Sequence, residues 1–151
     1  MELLRLRELR ETLNLIGDHY KDQKTIFSQL FEFANTLTTA EYPRLYPEFA
    51  VESHLDKDYF DVHFVGRCFR FAFQLYWNAK EGPVTKLSCC EIISTELDIK
   101  PKPIYEISID RRGVTDSSPA STPGAYRADC TDRNDALRLI LQGVFSGLAE
   151  I

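Results

Sequence analysis

The amino-acid sequence predicts an α+β fold: an antiparallel sheet of five or six strands, with a long N-terminal helix and a C-terminal helix packed on one face. Three patterns predict it. Apolar residues recur at steps of three and four over residues 1–40, alternate with polar ones over 48–112, and return to helical spacing over 131–150. The 151 residues read as one domain, with a loop at 113–124. A chain of this length buries roughly 70% of the surface its unfolded form exposes, so its core needs no disulfide, metal or cofactor.

The first helix is carried by Leu6, Leu9, Leu13, Ile16, Tyr20, Phe27, Leu30, Ala34 and Leu37, a heptad stripe that only Gln23 interrupts. A continuous helix through this stretch is about 50 Å long at 1.5 Å per residue, longer than such a domain is wide. It therefore either projects or breaks. Gly17-Asp18 offers a break, since glycine costs about 1 kcal/mol inside a helix and Asp caps a new start. One long or kinked helix on the sheet is the first expectation and a helix pair the second. Leu4, Leu15, Ile26, Phe31 and Phe33 lie off the stripe, so the helix calls for two neighbours. The C-terminal helix, a second copy of the chain or another protein fills the second place.

The prolines of Tyr42-Pro43-Arg44-Leu45-Tyr46-Pro47 end the helical pattern, and the sheet follows. Phe60, Val62 and Phe64 alternate with Tyr59, Asp61 and His63; Phe69, Phe71 and Phe73 alternate with Cys68, Arg70, Ala72 and Gln74. A two-residue turn at Gly66-Arg67, with Gly first, pairs Val65 with Cys68, Phe64 with Phe69, Val62 with Phe71 and Phe60 with Phe73. Pairing Leu55 with Asp58 adds Phe49, Val51 and Ser53 to the same face. By parity Trp77 belongs inside, and Arg70 and Tyr76 outside. Further strands are expected at Leu87 to Ser94 and Pro103 to Arg111, the second approached through Pro101 and Pro103 in exposed chain.

The run Asp116 to Gly124 reads as a long loop. Thr131 to Asp135 supplies cap residues and early acids for the last helix, whose apolar set is Ala136, Leu137, Ile140, Leu141, Val144, Phe145 and Leu148. Gly143 and Gly147 weaken this helix but permit close packing on a sheet.

Charge and composition exclude several functions. With 18 Lys+Arg against 23 Asp+Glu, the chain lacks the basic footprint of a nucleic-acid binder, and its acidity is too mild for a DNA mimic. No run approaches the ~20 apolar residues of a membrane span, and the mixed charges of Met1 to Glu8 do not resemble a secretory signal, so a cytoplasmic protein is expected. Cys68, Cys89, Cys90 and Cys130 form no C-x-x-C pair; they read as buried thiols acting as small apolar residues, with Cys89 and Cys90 on opposite faces of a strand.

Familiar catalytic motifs are absent. Asp98-Ile99-Lys100 matches the acid-x-Lys fragment of metal-dependent nucleases, but Asp22-Gln23-Lys24 does too, and composition alone supplies such triplets. The polar sheet face is the better candidate. The register above sets Glu52 opposite Asp61, His54 opposite Tyr59 and His63 opposite Arg70. Glu52, His54, Asp61 and His63 are ligand types for a divalent ion, and a carboxylate beside histidine also orients an acid-base imidazole. The plain alternative is the solvated face that antiparallel sheets usually carry. Tyr59, Arg67, Arg70 and Tyr76 are residue types that dominate protein interfaces. Arg111, Arg112, Arg127 and Arg133 concentrate positive charge beside acids that neutralise it.

The sequence thus favours a non-catalytic cytoplasmic protein that binds another protein, as an inhibitor, immunity or anti-defence factor, chaperone or adaptor, with no cofactor, and with a homodimer through the N-terminal helix as one form of partnership. Bacterial immunity proteins and phage inhibitors of host defence are often small, acidic and motif-poor in this way, which is an analogy of composition only. The alternative is a small enzyme or ligand-binding domain using Glu52, Asp61, His63 and Arg70.

Overall fold

A computed structural model describes residues 5–38, 49–80, 82–115 and 127–149. The helix end at Tyr42 to Pro47 and the loop from Asp116 to Gly124 fall outside the described residues. In order come helix α1 (Leu6–Thr36), strands β1 (Ala50–His54), β2 (Tyr59–Phe64), β3 (Arg67–Asn78), β4 (Gly82–Ser94) and β5 (Ile99–Ile109), and helix α2 (Arg133–Leu148). The sheet is an antiparallel meander, β1-β2-β3-β4-β5, with both helices on one face.

Alternation along β2 and β3 explains the layering. Phe60, Val62, Phe69 and Phe71 are fully buried on the helix side, joined there by Phe73 and by Leu87 of β4. Phe27 of α1 sits 5.2 Å from the Phe60 ring and 4.7 Å from Phe73, while Phe60 stacks on Phe71 at 5.3 Å. Aromatic contacts at these distances add to the burial of large apolar surfaces. Cys89 and Cys90 do lie on opposite faces, Cys89 buried and Cys90 half-buried on the open side. Gly143 of α2 stands so close to the sheet that a Cβ there would lie 2.8 Å from the Cys89 sulfur and 3.1 Å from Phe71.

Helix α1 does not break at Gly17, where space is open around the backbone. It projects. From His19 onward the stripe is buried through Gln23, Phe27, Leu30 and Ala34, but Leu6, Leu9 and Leu13 are exposed. Gln23 interrupts the stripe without cost because its amide donates to the Asp110 carbonyl at 3.1 Å. His19 is also buried, with a ring nitrogen 3.3 Å from the Thr85 hydroxyl, and burial together with nearby Arg111 holds its pKa below the usual histidine value.

The predicted β2–β3 register is corrected by two residues. The turn residues are Val65 and Gly66, both left-handed at φ 47° and 78°, so Phe64 pairs with Arg67, Val62 with Phe69 and Phe60 with Phe71. Two left-handed residues make a type I′ turn, whose twist suits the strands. A slip of two preserves parity and hence the apolar face, but changes every cross-strand partner. His63 faces Cys68 rather than Arg70, and Arg70 faces Asp61. The β1–β2 pairs stand as expected, Glu52 with Asp61 and His54 with Tyr59.

Trp77 is corrected too. It is 51% exposed, because β3 and β4 outrun the helix layer: the rung of Leu75 and Thr85 is met by His19, and Trp77 lies one rung beyond. Phe145, expected on the buried side of α2, is 67% exposed, while Leu139 is buried instead. The strand expected to start at Leu87 begins at Gly82, and Pro101 and Pro103 lie within edge strand β5. An edge strand tolerates proline because one side of it has no ladder to complete. Asp132 caps α2 by accepting from the Asp135 amide.

Two outcomes follow. Val65 is a β-branched residue in a left-handed conformation, a strain of order 1 kcal/mol. Val65→Asn, which suits a type I′ turn, is expected to raise stability by about 1 kcal/mol, read as a higher Tm in thermal unfolding. Tyr20 ties α1 to the β1–β2 turn by donating its hydroxyl to the Asp58 carboxylate at 2.7 Å, and this bond pushes its pKa up to about 12 from 10.0. A raised pKa means the contribution is full below pH 10 and fades as pH rises toward 12. Tyr20→Phe should therefore cost about 1.5 kcal/mol near neutral pH, and urea titrations should show that difference vanishing at the alkaline end.

Candidate functional site

The open sheet face gathers the polar residues of β1, β2 and β3 by parity. Glu52 and His54 project from β1, Tyr59, Asp61 and His63 from β2, and Cys68 and Arg70 from β3. Asp61 stands at the centre. Among the described residues no helix covers this face, yet only 6% of the Asp61 side chain is exposed.

Arg70 holds Asp61 through a two-pronged ion pair, Nε to one oxygen at 2.9 Å and Nη2 to the other at 3.1 Å. The same guanidinium lies 3.9 Å from the centre of the Tyr59 ring, against which His54 also stacks at 4.8 Å. The Asp61 carboxylate raises the Arg70 pKa further, fixing its charge. A planar fork that both pairs a carboxylate and lies on an aromatic ring is specific to arginine.

Glu52 is shared by two imidazoles. Nε2 of His54 lies 2.8 Å from one of its oxygens and Nε2 of His63 lies 3.1 Å from the other. The hydrogen bond from His63, then that from His54, holds the Glu52 carboxyl below the usual carboxylate range. Cys68 lies directly across from His63, and burial followed by the neighbouring Asp61 charge pushes its thiol up to about 11. With no cation bound, such a thiol is mostly protonated at neutral pH.

Beyond His63 and Cys68 the sheet ends in a cleft of about 490 Å³, bounded also by Arg67, Glu91, Ile92 and Ile93. Arg67 and Glu91 form a short pair at 2.6 Å on the helix side, and Arg67 also donates to the Gly147 carbonyl at 2.7 Å. That pair joins β3 and β4 to the end of α2.

Of the residues singled out in the sequence, Glu52, Asp61, His63 and Arg70 come together on one face, with His54 and Tyr59 beside them. Arg67 belongs to the other side. Tyr76 is 42% exposed, with Lys86 over its ring at 5.3 Å, apart from the Asp61 cluster. Asp98 caps the start of β5 by accepting from the Ile99 amide and takes no part in the cluster. Sequence reasoning missed Cys68 because the slipped register set it opposite Val65; its parity with Arg70 was the available signal. Compared with protein-family models, with curated proteins and with solved structures, the chain finds no match in any of the three.

Removing Arg70 strands a buried carboxylate. Arg70→Ala is expected to cost about 3 kcal/mol, at the low end for a broken buried pair because the guanidinium is partly hydrated. Arg70→Lys should recover only part of that loss, since lysine cannot form the fork. Urea unfolding of the two variants checks both statements.

Proposed function

We propose that the protein acts without catalysis of its own, by binding another protein and occupying part of its surface, in the manner of an inhibitor, immunity or anti-defence factor, chaperone or adaptor. One observation supports this reading above the rest: Leu6, Leu9 and Leu13 are 72%, 42% and 64% exposed in one row on the projecting part of α1. Leucines at alternating steps of three and four form a seam that packs knobs into holes against another helix or an apolar groove. Left in water, such surface forfeits roughly 25 cal/mol for each Å² that a partner would bury. Leu15, 48% exposed, widens the seam.

The sheet-face arginine and tyrosine expected to meet a partner, Arg70 and Tyr59, are engaged with Asp61 and with each other. This moves the proposed contact to the helix arm. Among the described residues no helix is long and apolar enough to cross a membrane, and all four cysteines are free. Free thiols accord with work in the reducing cytoplasm.

A second copy of the chain also fits the seam. In an antiparallel pair centred on Glu11, Leu6 meets the partner's Ile16 and Leu9 meets the partner's Leu13, each contact occurring twice by symmetry. This self-complementary spacing favours a homodimer as the second reading.

Leu13→Asp tests both. The variant is expected to keep the wild-type Tm, because the stripe lies outside the core, and to lose a stoichiometric partner that the wild-type chain captures from source-cell lysate. Light scattering that shows a wild-type dimer and a variant monomer selects the second copy instead. A variant that fails to fold ends both readings, since the stripe would then be core packing.

A further inference from the structure

The polar sheet face holds a combination of atoms that protein binding by the helix arm does not use. One carboxylate oxygen of Asp61, a ring nitrogen of His63 and the sulfur of Cys68 all lie within 4.8 Å of one another. We propose that these three side chains bind one divalent transition-metal ion, with zinc the best match to the donor set, and leave a further coordination position open toward the neighbouring cleft.

The donor types make the case first. One oxygen, one nitrogen and one sulfur suit a borderline-soft ion that accepts all three, whereas calcium and magnesium take oxygen and leave the thiol idle. Strand geometry provides the convergence: His63 and Cys68 are direct cross-strand neighbours, and Asp61 precedes His63 by two on the same face. Small rotations within this rigid sheet bring the donors to the 2.0–2.3 Å that zinc requires.

The surrounding groups act as an outer shell. Glu52 lies 3.1 Å from Nε2 of His63, and Arg70 grips both oxygens of Asp61. Carboxylates and other partners that orient ligands from behind are a regular part of metal sites. Charge is matched as well. Asp61, Glu52 and a Cys68 thiolate oppose the single Arg70 guanidinium, which leaves two negative charges to meet a divalent cation. Binding breaks the Cys68 S–H bond, forms a metal–sulfur bond and releases the proton to water.

A second trio, Glu52, His54 and Asp61, also lies within 4.8 Å, but it offers no sulfur, and Glu52 is 55% exposed. Asp61 and Cys68 are more recessed, and His63 and Cys68 border the cleft of about 490 Å³. Three protein ligands with a free position beside a cleft is the arrangement that lets a metal meet a small ligand, in contrast to a closed structural site.

The test uses the full chain, freed of metal with chelator and titrated with cobalt(II) alone, then with zinc(II) as competitor. The expected result is one cobalt ion per chain, a thiolate-to-cobalt charge-transfer band in the near ultraviolet, and loss of the band on adding zinc. Cys68→Ser should abolish the band, and His63→Ala should weaken binding more than about 100-fold, beyond what loss of an outer-shell group costs. His54→Ala should leave the band in place. Circular dichroism melts establish that each variant is folded, and both ligand variants are at half-buried positions that spare the Asp61–Arg70 pair. Absence of a saturable band in the wild-type chain overturns the proposal. So does a band that survives Cys68→Ser, or binding that is lost in His54→Ala and kept in Cys68→Ser and His63→Ala.

Discussion

Phenylalanines 60, 69, 71 and 73 stand on one face of a two-stranded unit, and water must be kept from all four at once. Burying a large side chain is worth about 1.5–3 kcal/mol, so the two helices have little freedom about where they lie. Phe27 is set between Phe60 and Phe73, and α2 presents Gly143 and Gly147 so that its backbone can approach Phe71 and Phe69. The helices in turn fix the fate of the opposite face. The residues of β2 and β3 that point to the other face, Tyr59, Asp61, His63, Cys68 and Arg70, must find their partners within the sheet.

The same constraint accounts for the free end of α1. The apolar layer can cover a helix only as far as the sheet and α2 extend, and a helix of 31 residues is about 46 Å long. Burial begins at His19, with Ile16 half-covered, and the residues before them carry the stripe onward into solvent. Nothing in the local sequence ends the helix there, since one glycine in open surroundings costs only about 1 kcal/mol. A seam that serves as core over one half of a helix is thereby displayed over the other half.

Much of the fold was legible in the sequence because it rests on periodicity. The 3.6-residue stripe located both helices, and the two-residue alternation located the sheet and the buried face of each strand. Parity survived even where register did not. Gly66-Arg67 is the turn that residue preference favours, whereas Val65-Gly66 sets a β-branched residue at φ 47°, which no local rule would select. What opposes that strain is non-local: the observed pairing brings Arg70 against Asp61 and Val62 against Phe69. Coverage was the other feature that periodicity does not encode. Trp77 has the parity for burial but lies beyond the rung that His19 meets, whereas Phe145 is exposed on a helix whose Val144 and Gly147 face the sheet.

The register also decided how the candidate site was read. With His63 opposite Arg70, the face looks like a row of hydrated pairs, and Cys68 has no role in it. With Arg70 opposite Asp61, a carboxylate is locked at 6% exposure on a face that neither α1 nor α2 covers, and a thiol and an imidazole are brought beside it. An ordinary solvated face has no reason to hold a charge out of water, because desolvation there is a cost that surface ion pairs do not recover. Around Asp61, Arg70 forks onto both carboxylate oxygens and lies over the Tyr59 ring, while Glu52 opposite is held by His54 and His63. That organisation, present without help from either helix, distinguishes this patch from the remainder of the polar surface.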